Sequence, residues 1–227
     1  MKGAVCKAFS KIQRNFPLTL SIFAMLALLF LADLVIGDST FFLFINREIA
    51  NPALDFVCLY ILLPLFSLLF IIPLATVFLP HLEIRCRASG LVSLLSGFLS
   101  YGIGSLIKCF VMRPRPFDVL PARVLGFWST ATTSFPSTTT MLAFGIAIPV
   151  LMEKPRYGSI LVSLSFLVGF FVVYSGFHFP GDVIAGAFLS IAIALFMNKM
   201  KTRVISLWKS SENEKRRNRL NRFSTAH

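Results

Sequence analysis

The sequence has little charge, few acidic residues and few cysteines. Only 14% of its 227 residues are charged, ten are acidic and four are cysteines. Soluble domains usually contain about 25% charged and about 45–50% apolar residues, whereas this chain is 56% apolar. The composition therefore excludes a disordered chain, a disulfide scaffold and an ordinary cytosolic enzyme. The chain has 25 phenylalanines and a mean hydropathy of +0.78, which is typical of an integral membrane protein.

Six apolar stretches are long enough, or nearly so, to cross about 30 Å of hydrocarbon. The first is too long for a cleavable signal peptide. We predict an all-α, polytopic membrane protein with a bundle of six transmembrane helices in residues 16–199. A basic cytoplasmic segment, residues 1–15, precedes this domain, and a basic cytoplasmic tail, residues 200–227, follows it. The predicted spans are approximately Phe16–Ile36, Phe56–Leu79, Ala88–Met112, Pro136–Met152, Ser159–Phe177 and Asp182–Met197.

The distribution of basic residues predicts the orientation. Seventeen of the 22 lysines and arginines lie in the terminal segments or the loops after the second and fourth spans, which should be cytoplasmic. The other five are Arg47, Lys108, Arg113, Arg115 and Arg123. We expect a multi-pass protein of the inner or plasma membrane with both termini cytoplasmic. Its net charge of +12 indicates contact with an anionic leaflet and not with nucleic acid, because stacking aromatics are not interleaved with the basic residues.

Three polar clusters lie at the predicted outer ends of the spans. The first, Lys108–Pro116, ends the third span with three basic residues and two prolines. Basic residues usually concentrate on the cytoplasmic side, whereas this cluster lies on the predicted outer side. The second, Ser134–Thr140, opens the fourth span, and its Ser137 is a good N-cap. A simple interfacial anchor or cap would explain either cluster by itself. The first N–H groups of a helix also form a phosphate-binding site.

The third cluster, Gly176–Asp182, contains one of the three histidines. Pro180 suits the first turn of a helix, where Asp182 would also lie. An aspartate can orient a histidine and make its other nitrogen a nucleophile or base, although such a pair is often structural. Together the clusters can hold a phosphoryl group and attack it. The sequence has no carboxylate cluster for magnesium, so we expect no metal and no cofactor.

These clusters resemble the motifs of the type 2 phosphatidic acid phosphatase superfamily of membrane lipid phosphatases. The family's first motif is Lys, six residues, then Arg-Pro; its second is Pro-Ser-Gly-His. Its third is Ser-Arg, five residues, His, three residues, Asp. The corresponding residues here are Lys108, Arg115 and Pro116; Pro136, Ser137, Thr138 and Thr139; and Phe171, Val172, His178 and Asp182.

The resemblance implies a role for each matching position. His178 would be the nucleophile that forms a phosphohistidine at the outer, periplasm-facing side, and Asp182 would orient it. Lys108, Arg115 and Ser137 would bind phosphate oxygens, with the Thr138 amide nearby. The membrane and a phosphorylated lipid substrate are the implied partners.

Two of the positions that differ from the family pattern have a catalytic or phosphate-binding role in the family. Thr139 replaces the histidine that protonates the leaving group, and Val172 replaces an arginine that contacts phosphate. Thr139 itself and Arg113 are further site candidates, since Arg113 or Arg123 could supply the lost cation. A phosphate monoester with a second pKa of about 6 can leave without an acid, whereas an alkoxide cannot.

The surviving residues therefore fit a lipid diphosphate best, such as a polyprenyl diphosphate of the undecaprenyl kind. Phosphoryl transfer between lipids fits equally well, and lipid A phosphatases are a further family activity. The competing hypothesis is a catalytically impaired member that binds, transports or transfers a phosphorylated lipid. Retention of His178 and Asp182 favours the enzyme, while loss of two motif residues favours the binder.

Overall fold

The computed structural model describes the backbone of residues 2–126 and 133–224. Side chains are described for residue 18 and for residues 20–126, 133–208 and 210–211. Most of the predicted basic segments 1–15 and 200–227 therefore lie outside the described side chains. These segments and the central domain 16–199 stay predictions.

The described chain is helical. No strand occurs in residues 2–126 and 133–224, where an isolated antiparallel bridge joins Pro114 to Thr133. The all-α prediction is confirmed. The α-helices are α1 Lys2–Ile36, α2 Asp38–Leu43, α3 Pro52–Phe56, α4 Leu62–Phe78, α5 Ile84–Val111, α6 Pro116–Val119, α7 Thr138–Glu153, α8 Pro155–Tyr174 and α9 Pro180–Ser224; π-helical segments Phe44–Glu48 and Val57–Ile61 continue α2 and join α3 to α4.

The protein is an integral membrane protein, but the predicted count of six spans is not confirmed. Within the described residues, four helical stretches are long and apolar enough to cross a membrane, and a bent pair makes up to five. The four are Pro52–Phe78, Ile84–Val111, Pro155–Tyr174 and Pro180–Trp208. Helix α7, where the fourth span was predicted, has 16 residues. At 1.5 Å per residue it is about 24 Å long, less than the hydrocarbon thickness.

The bent pair consists of Leu20–Ile36 and Asp38–Glu48, whose axes differ by 106°. Gly37 lies at the bend with φ 85°, a left-handed conformation that glycine adopts without steric cost. The first span was predicted to end at Ile36, and α1 does end there. The chain then turns across the end of the bundle instead of forming a loop, which brings Asp38 to the start of α9.

Helix α7 forms the centre of the bundle and packs against α5, α8 and α9. Small residues allow α5 to approach it closely: a Cβ on Gly145 would lie 3.0 Å from the Cα of Gly97. Ser89 Oγ donates to the Pro149 carbonyl at 2.9 Å, and Ser93 Oγ donates to the Ile146 carbonyl. Small residues and interhelical hydroxyl bonds of this kind are typical of membrane helix interfaces. This packing places the N-terminus of α7 beside the C-terminus of α5.

Candidate active site

The three polar clusters contact one another at one end of the bundle. Lys108 Nζ donates to the carbonyls of Thr133 and Ser134 at 2.8 and 2.9 Å. The backbone N–H of Ser137 donates to the carbonyl of Asp182 at 3.1 Å. The C-terminus of α5 and the N-termini of α7 and α9 thus meet at this end of the bundle.

His178 lies in the turn between α8 and α9. Its backbone N–H donates to the Val172 carbonyl at 3.2 Å, and the residue is 4% exposed. Its Nδ1 is 3.7 Å from Asp182 Oδ2, and no described group lies within hydrogen-bond distance of this buried nitrogen. Catalytic hydrogen bonds are often long before substrate binds. Since Nδ1 faces Asp182, Nε2 is the nitrogen available for attack.

The surroundings of His178 favour the neutral imidazole. Burial lowers the pKa of His178 below its usual range, Asp182 opposes this shift, and the charges of Lys108 and Arg115 add to it. A neutral imidazole has a free lone pair, which is the form that a nucleophile or base requires.

Asp182 is fully buried in the first turn of α9, as the sequence predicted for that turn. Its Oδ2 accepts a hydrogen bond from the Phe179 N–H at 2.9 Å, and its Oδ1 accepts one from Arg113 Nη1 at 2.7 Å. One oxygen of the Asp182 carboxylate therefore binds the loop that carries His178, and the other binds the Arg113 guanidinium.

Lys108 and Arg115 reach the site by different routes. Lys108 is in the last turn of α5, and its two hydrogen bonds to carbonyls use two of its three ammonium N–H groups. Met112 ends α5 in a left-handed conformation, and Pro114 cannot continue the helix. The chain therefore turns back, and Arg115 becomes 3% exposed with Nη1 donating to the Phe177 carbonyl at 3.0 Å.

Ser137 is the N-cap of α7, as predicted. Its Oγ accepts hydrogen bonds from the Thr140 N–H and from Thr140 Oγ1, at 3.5 and 2.9 Å. Thr138 begins the helix, so its amide belongs to the first turn, where backbone N–H groups have no partner within the helix. This end of α7 faces the start of α9.

Thr139 and Val172, which replace the family's histidine and arginine, line the same cavity. The cavity has a volume of about 280 Å³, and Phe171, Phe177 and Tyr101 also line it. Thr139 reaches it from α7 and Val172 from α8. The cavity where these two residues lie is therefore mainly apolar, and Thr139, Tyr101 and Ser175 contribute hydroxyl groups to its lining.

The two arginines considered as replacement cations both pair with carboxylates. Arg113 bridges Asp182, at 2.7 Å, and Asp38. Arg123 Nη2 lies 2.7 Å from Asp55 Oδ2, and its backbone N–H donates to Asn46 at 2.8 Å. Arg113 is thus part of the site, whereas Arg123 joins the loop before α7 to the N-terminal helices.

Sequence reasoning missed Asp38. It lies 75 residues from Arg113 in the chain and outside every motif, so no local spacing could have joined the two. The available signal was a carboxylate directly after a glycine at the predicted outer end of the first span.

The described residues contain no group of three or more His, Cys, Asp or Glu side chains placed to hold a metal ion. The nearest carboxylates to His178 and Arg113 are already engaged: Asp182 by Arg113 and Phe179, and Asp38 by Arg113 and the Gly181 N–H at 2.9 Å.

Comparison with known proteins identifies similar chains. The family model described as PAP2 superfamily matches residues 89–206, about half of this chain. The bacitracin transport permease protein BcrC of Bacillus licheniformis is 33% identical over 95 residues, which cover 42% of this chain and 47% of the relative. The undecaprenyl-diphosphatase BcrC of Bacillus subtilis strain 168 is 32% identical over 99 residues, 44% and 51% of the two chains. The matches span about half the length of these relatives.

A solved structure is similar in fold. It is the PAP2 type phosphatidylglycerolphosphate phosphatase from Bacillus subtilis, with a TM-score of 0.55 and 22% sequence identity. The superposition covers 82% of this chain and 96% of that one. The helical bundle thus has the architecture of this membrane phosphatase.

Proposed function

This chain belongs to the PAP2 superfamily, and we propose that it is a membrane lipid phosphatase that hydrolyses a lipid diphosphate without a metal, through a phosphohistidine at His178. The observation that carries the proposal is the position of His178. It is buried beside Asp182 at the end of the bundle where Lys108, Arg115 and the N-terminus of α7 meet. This arrangement places a nucleophile close to hydrogen-bond donors that can bind a phosphate.

The proposed reaction has two steps. His178 Nε2 attacks the terminal phosphorus, an N–P bond forms, and the P–O bond to the leaving phosphate breaks. Water then attacks the phosphohistidine, the N–P bond breaks, and the water protons pass to the released phosphate and solvent. The products are a lipid monophosphate and inorganic phosphate. Lys108, Arg115, Ser137 and the Thr138 amide hold the phosphate oxygens during both steps.

The cavity lined by Thr139 and Val172 supports a diphosphate as the substrate. Neither residue can protonate a leaving alkoxide at neutral pH, but a phosphate monoester with a second pKa of about 6 needs no proton. The apolar cavity also suits a hydrocarbon chain next to the phosphates. A polyprenyl diphosphate such as undecaprenyl diphosphate fits both requirements, in agreement with the similarity to the undecaprenyl-diphosphatase BcrC of Bacillus subtilis.

The same cavity is the observation that favours the second candidate, a member that binds or transfers a phosphorylated lipid without hydrolysis. Such a protein would keep the cations that bind phosphate. It would not need the histidine that protonates the leaving group or the additional arginine, which Thr139 and Val172 replace here. It would have no use for a neutral, buried histidine beside an aspartate.

The direct test is phosphate release by the purified full chain from farnesyl diphosphate and undecaprenyl diphosphate. We expect inorganic phosphate to be released in the presence of EDTA at the same rate as in its absence, because no group of three or more His, Cys, Asp or Glu side chains in the described residues is placed to hold a metal ion. A strict requirement for magnesium would refute the metal-free mechanism. Tight binding of either lipid without any phosphate release would establish the second candidate.

The site is proposed to face the outside or periplasm, with both termini cytoplasmic and the basic segments 1–15 and 200–227 at the inner face. The distribution of lysine and arginine supports this orientation.

Val119 in α6 is 55% exposed at the same end as the site, so Val119→Cys in a Cys109→Ser background should react with an impermeant maleimide added to intact cells. A cysteine placed at Leu207, which is 71% exposed near the other end of α9, should react only after lysis. The reverse pattern would show that the site is cytoplasmic.

A further inference from the structure

Helix α2, the second part of the bent pair, contributes a carboxylate to the site. Asp38 is the first residue of α2, directly after the bend at Gly37. Its Oδ1 accepts a hydrogen bond from the Gly181 N–H at 2.9 Å, and its Oδ2 accepts one from Arg113 Nη2. Asp38 lies outside residues 89–206, the part that the family model matches, so the family motifs do not include it.

Arg113 connects Asp38 to the proposed catalytic pair. Its Nη1 donates to Asp182 Oδ1 at 2.7 Å, while its guanidinium lies 4.0 Å from the centre of the Phe179 ring. The planar guanidinium thus binds one carboxylate through each terminal nitrogen and stacks on the residue that follows His178. Bridging of this kind restricts orientation more than a point charge does.

The start of α9 fits closely around this bridge. A Cβ on Gly181 would lie 3.3 Å from both oxygens of Asp38 and 3.4 Å from Asp33 Oδ2. Asp38 therefore contacts the backbone one residue before Asp182 and, through Arg113, its side chain. Two independent contacts from α2 and the loop after α5 fix the position of the carboxylate that faces His178.

We propose that Asp38 and Arg113 are positioning residues, which together hold the Asp182 carboxylate toward His178 and set how strongly it stabilises the imidazolium. Arg113 thus serves Asp182 and does not replace the phosphate-binding cation lost at Val172. The inference rests on the proposed function in one respect: the catalytic effect presupposes that His178 attacks phosphate. The effect of Asp38 and Arg113 on the titration of His178 is independent of the proposed function.

The charges around His178 determine the sign of the expected effects. Asp182 faces it from α9, Lys108 from α5 and Arg115 from the loop before α6. Arg113 and Asp38 lie behind Asp182, and Asp33 in α1 lies beside Asp38 at the Gly181 contact. Loss of the Arg113 cation should favour imidazolium, and loss of the Asp38 anion should disfavour it.

The test uses Arg113→Gln and Asp38→Asn in the full chain, with His178 titrated by NMR of the protein labelled at histidine. The chain has only three histidines, and His178→Ala assigns the signal. We expect the titration midpoint of His178 to rise by about 0.5–1 pH unit in Arg113→Gln, because the cation that pairs with Asp182 is lost. It should fall in Asp38→Asn. Opposite shifts cannot come from general loosening of the fold.

A second ion pair provides matched controls. Arg123 and Asp55 are also 2.7 Å apart, their side chains are 33% and 28% exposed, and those of Arg113 and Asp38 are 29% and 24% exposed. Arg123→Gln and Asp55→Asn should leave the His178 midpoint unchanged. If Arg113→Gln does not fold, Asp38→Asn is nearly isosteric and still reports the predicted downward shift.

Kinetics separate this inference from the proposed function. With a lipid diphosphate, Arg113→Gln should lower kcat by about 10²-fold with little change in KM, since misplacement of a catalytic group acts on the chemical step. If the wild type releases no phosphate but the two variants shift the His178 midpoint in opposite directions, the positioning role is supported and the proposed function is refuted. Unchanged midpoints and kcat in both variants of an active enzyme would overturn the positioning role alone.

Discussion

We expect His178→Ala to lower phosphate release from a lipid diphosphate by about 10⁴-fold or more, because removal of a nucleophile abolishes the covalent step. His178 is the described residue that combines a nucleophilic nitrogen, a position beside Asp182 and proximity to Lys108 and Arg115. Lipid binding should persist, since the alanine leaves both cations in place. The measurement is phosphate release by purified wild-type and variant protein at equal concentration.

The matched control is His81→Ala, which changes an exposed histidine in the loop between α4 and α5 and should leave turnover unchanged. Brief incubation with substrate labelled in the terminal phosphate should also transfer label to the wild-type protein and not to His178→Ala. Full turnover in His178→Ala, with the protein folded and in the membrane, would eliminate the phosphohistidine mechanism.

The second large effect is expected at Thr139, where the family pattern has a histidine. The wild type should hydrolyse farnesyl diphosphate much faster than farnesyl monophosphate, because only the alkoxide released from the monophosphate needs a proton. Thr139→His should increase monophosphate hydrolysis by at most about 10²–10⁴-fold, the usual contribution of a general acid. Diphosphate hydrolysis should change far less. The ratio of the two rates is the quantity to measure.

Val172 limits this gain, because the phosphate remains one cation short. The double variant Thr139→His with Val172→Arg, which changes both walls of the cavity, should therefore increase monophosphate hydrolysis beyond the single variant. Leu142→His, one turn further along α7 in the same cavity, is the control and should not change the ratio. A wild type that prefers the monophosphate would contradict the leaving-group argument. If neither the wild type nor the double variant cleaves either substrate, the lipid-binding candidate replaces the enzyme.

Local patterns in the sequence predicted much of this protein. Runs of apolar residues identified the membrane helices, because each backbone polar group in hydrocarbon must be paired within the helix. Ser137 as the N-cap of α7 and Asp182 in the first turn of α9 followed from the same kind of local rule. The i, i+4 spacing of His178 and Asp182 indicated that they would be neighbours, and their side chains are 3.7 Å apart.

The number of spans depended on tertiary structure. Hydropathy does not distinguish a helix surrounded by lipid from one surrounded by other helices, so the apolar sequence of the 16-residue α7 does not by itself establish a span. The apolar run ends at Ile36, and polar residues follow Gly37, a pattern that predicts the end of a span but not a 106° bend into a second helix.

The partners of the charged groups were decided by packing alone. The sequence showed that Arg113, Arg123 and Asp38 exist, but not that Arg113 would bind Asp182 and Asp38 while Arg123 binds Asp55. These contacts join residues 68–75 positions apart. An ion pair forms where helices bring charges together at low solvent exposure, and the helix packing that does so is set by the small residues and apolar surfaces of the whole bundle. The sequence by itself thus determined a helical membrane protein with a His–Asp pair, and the tertiary structure decided which charges hold that pair in place.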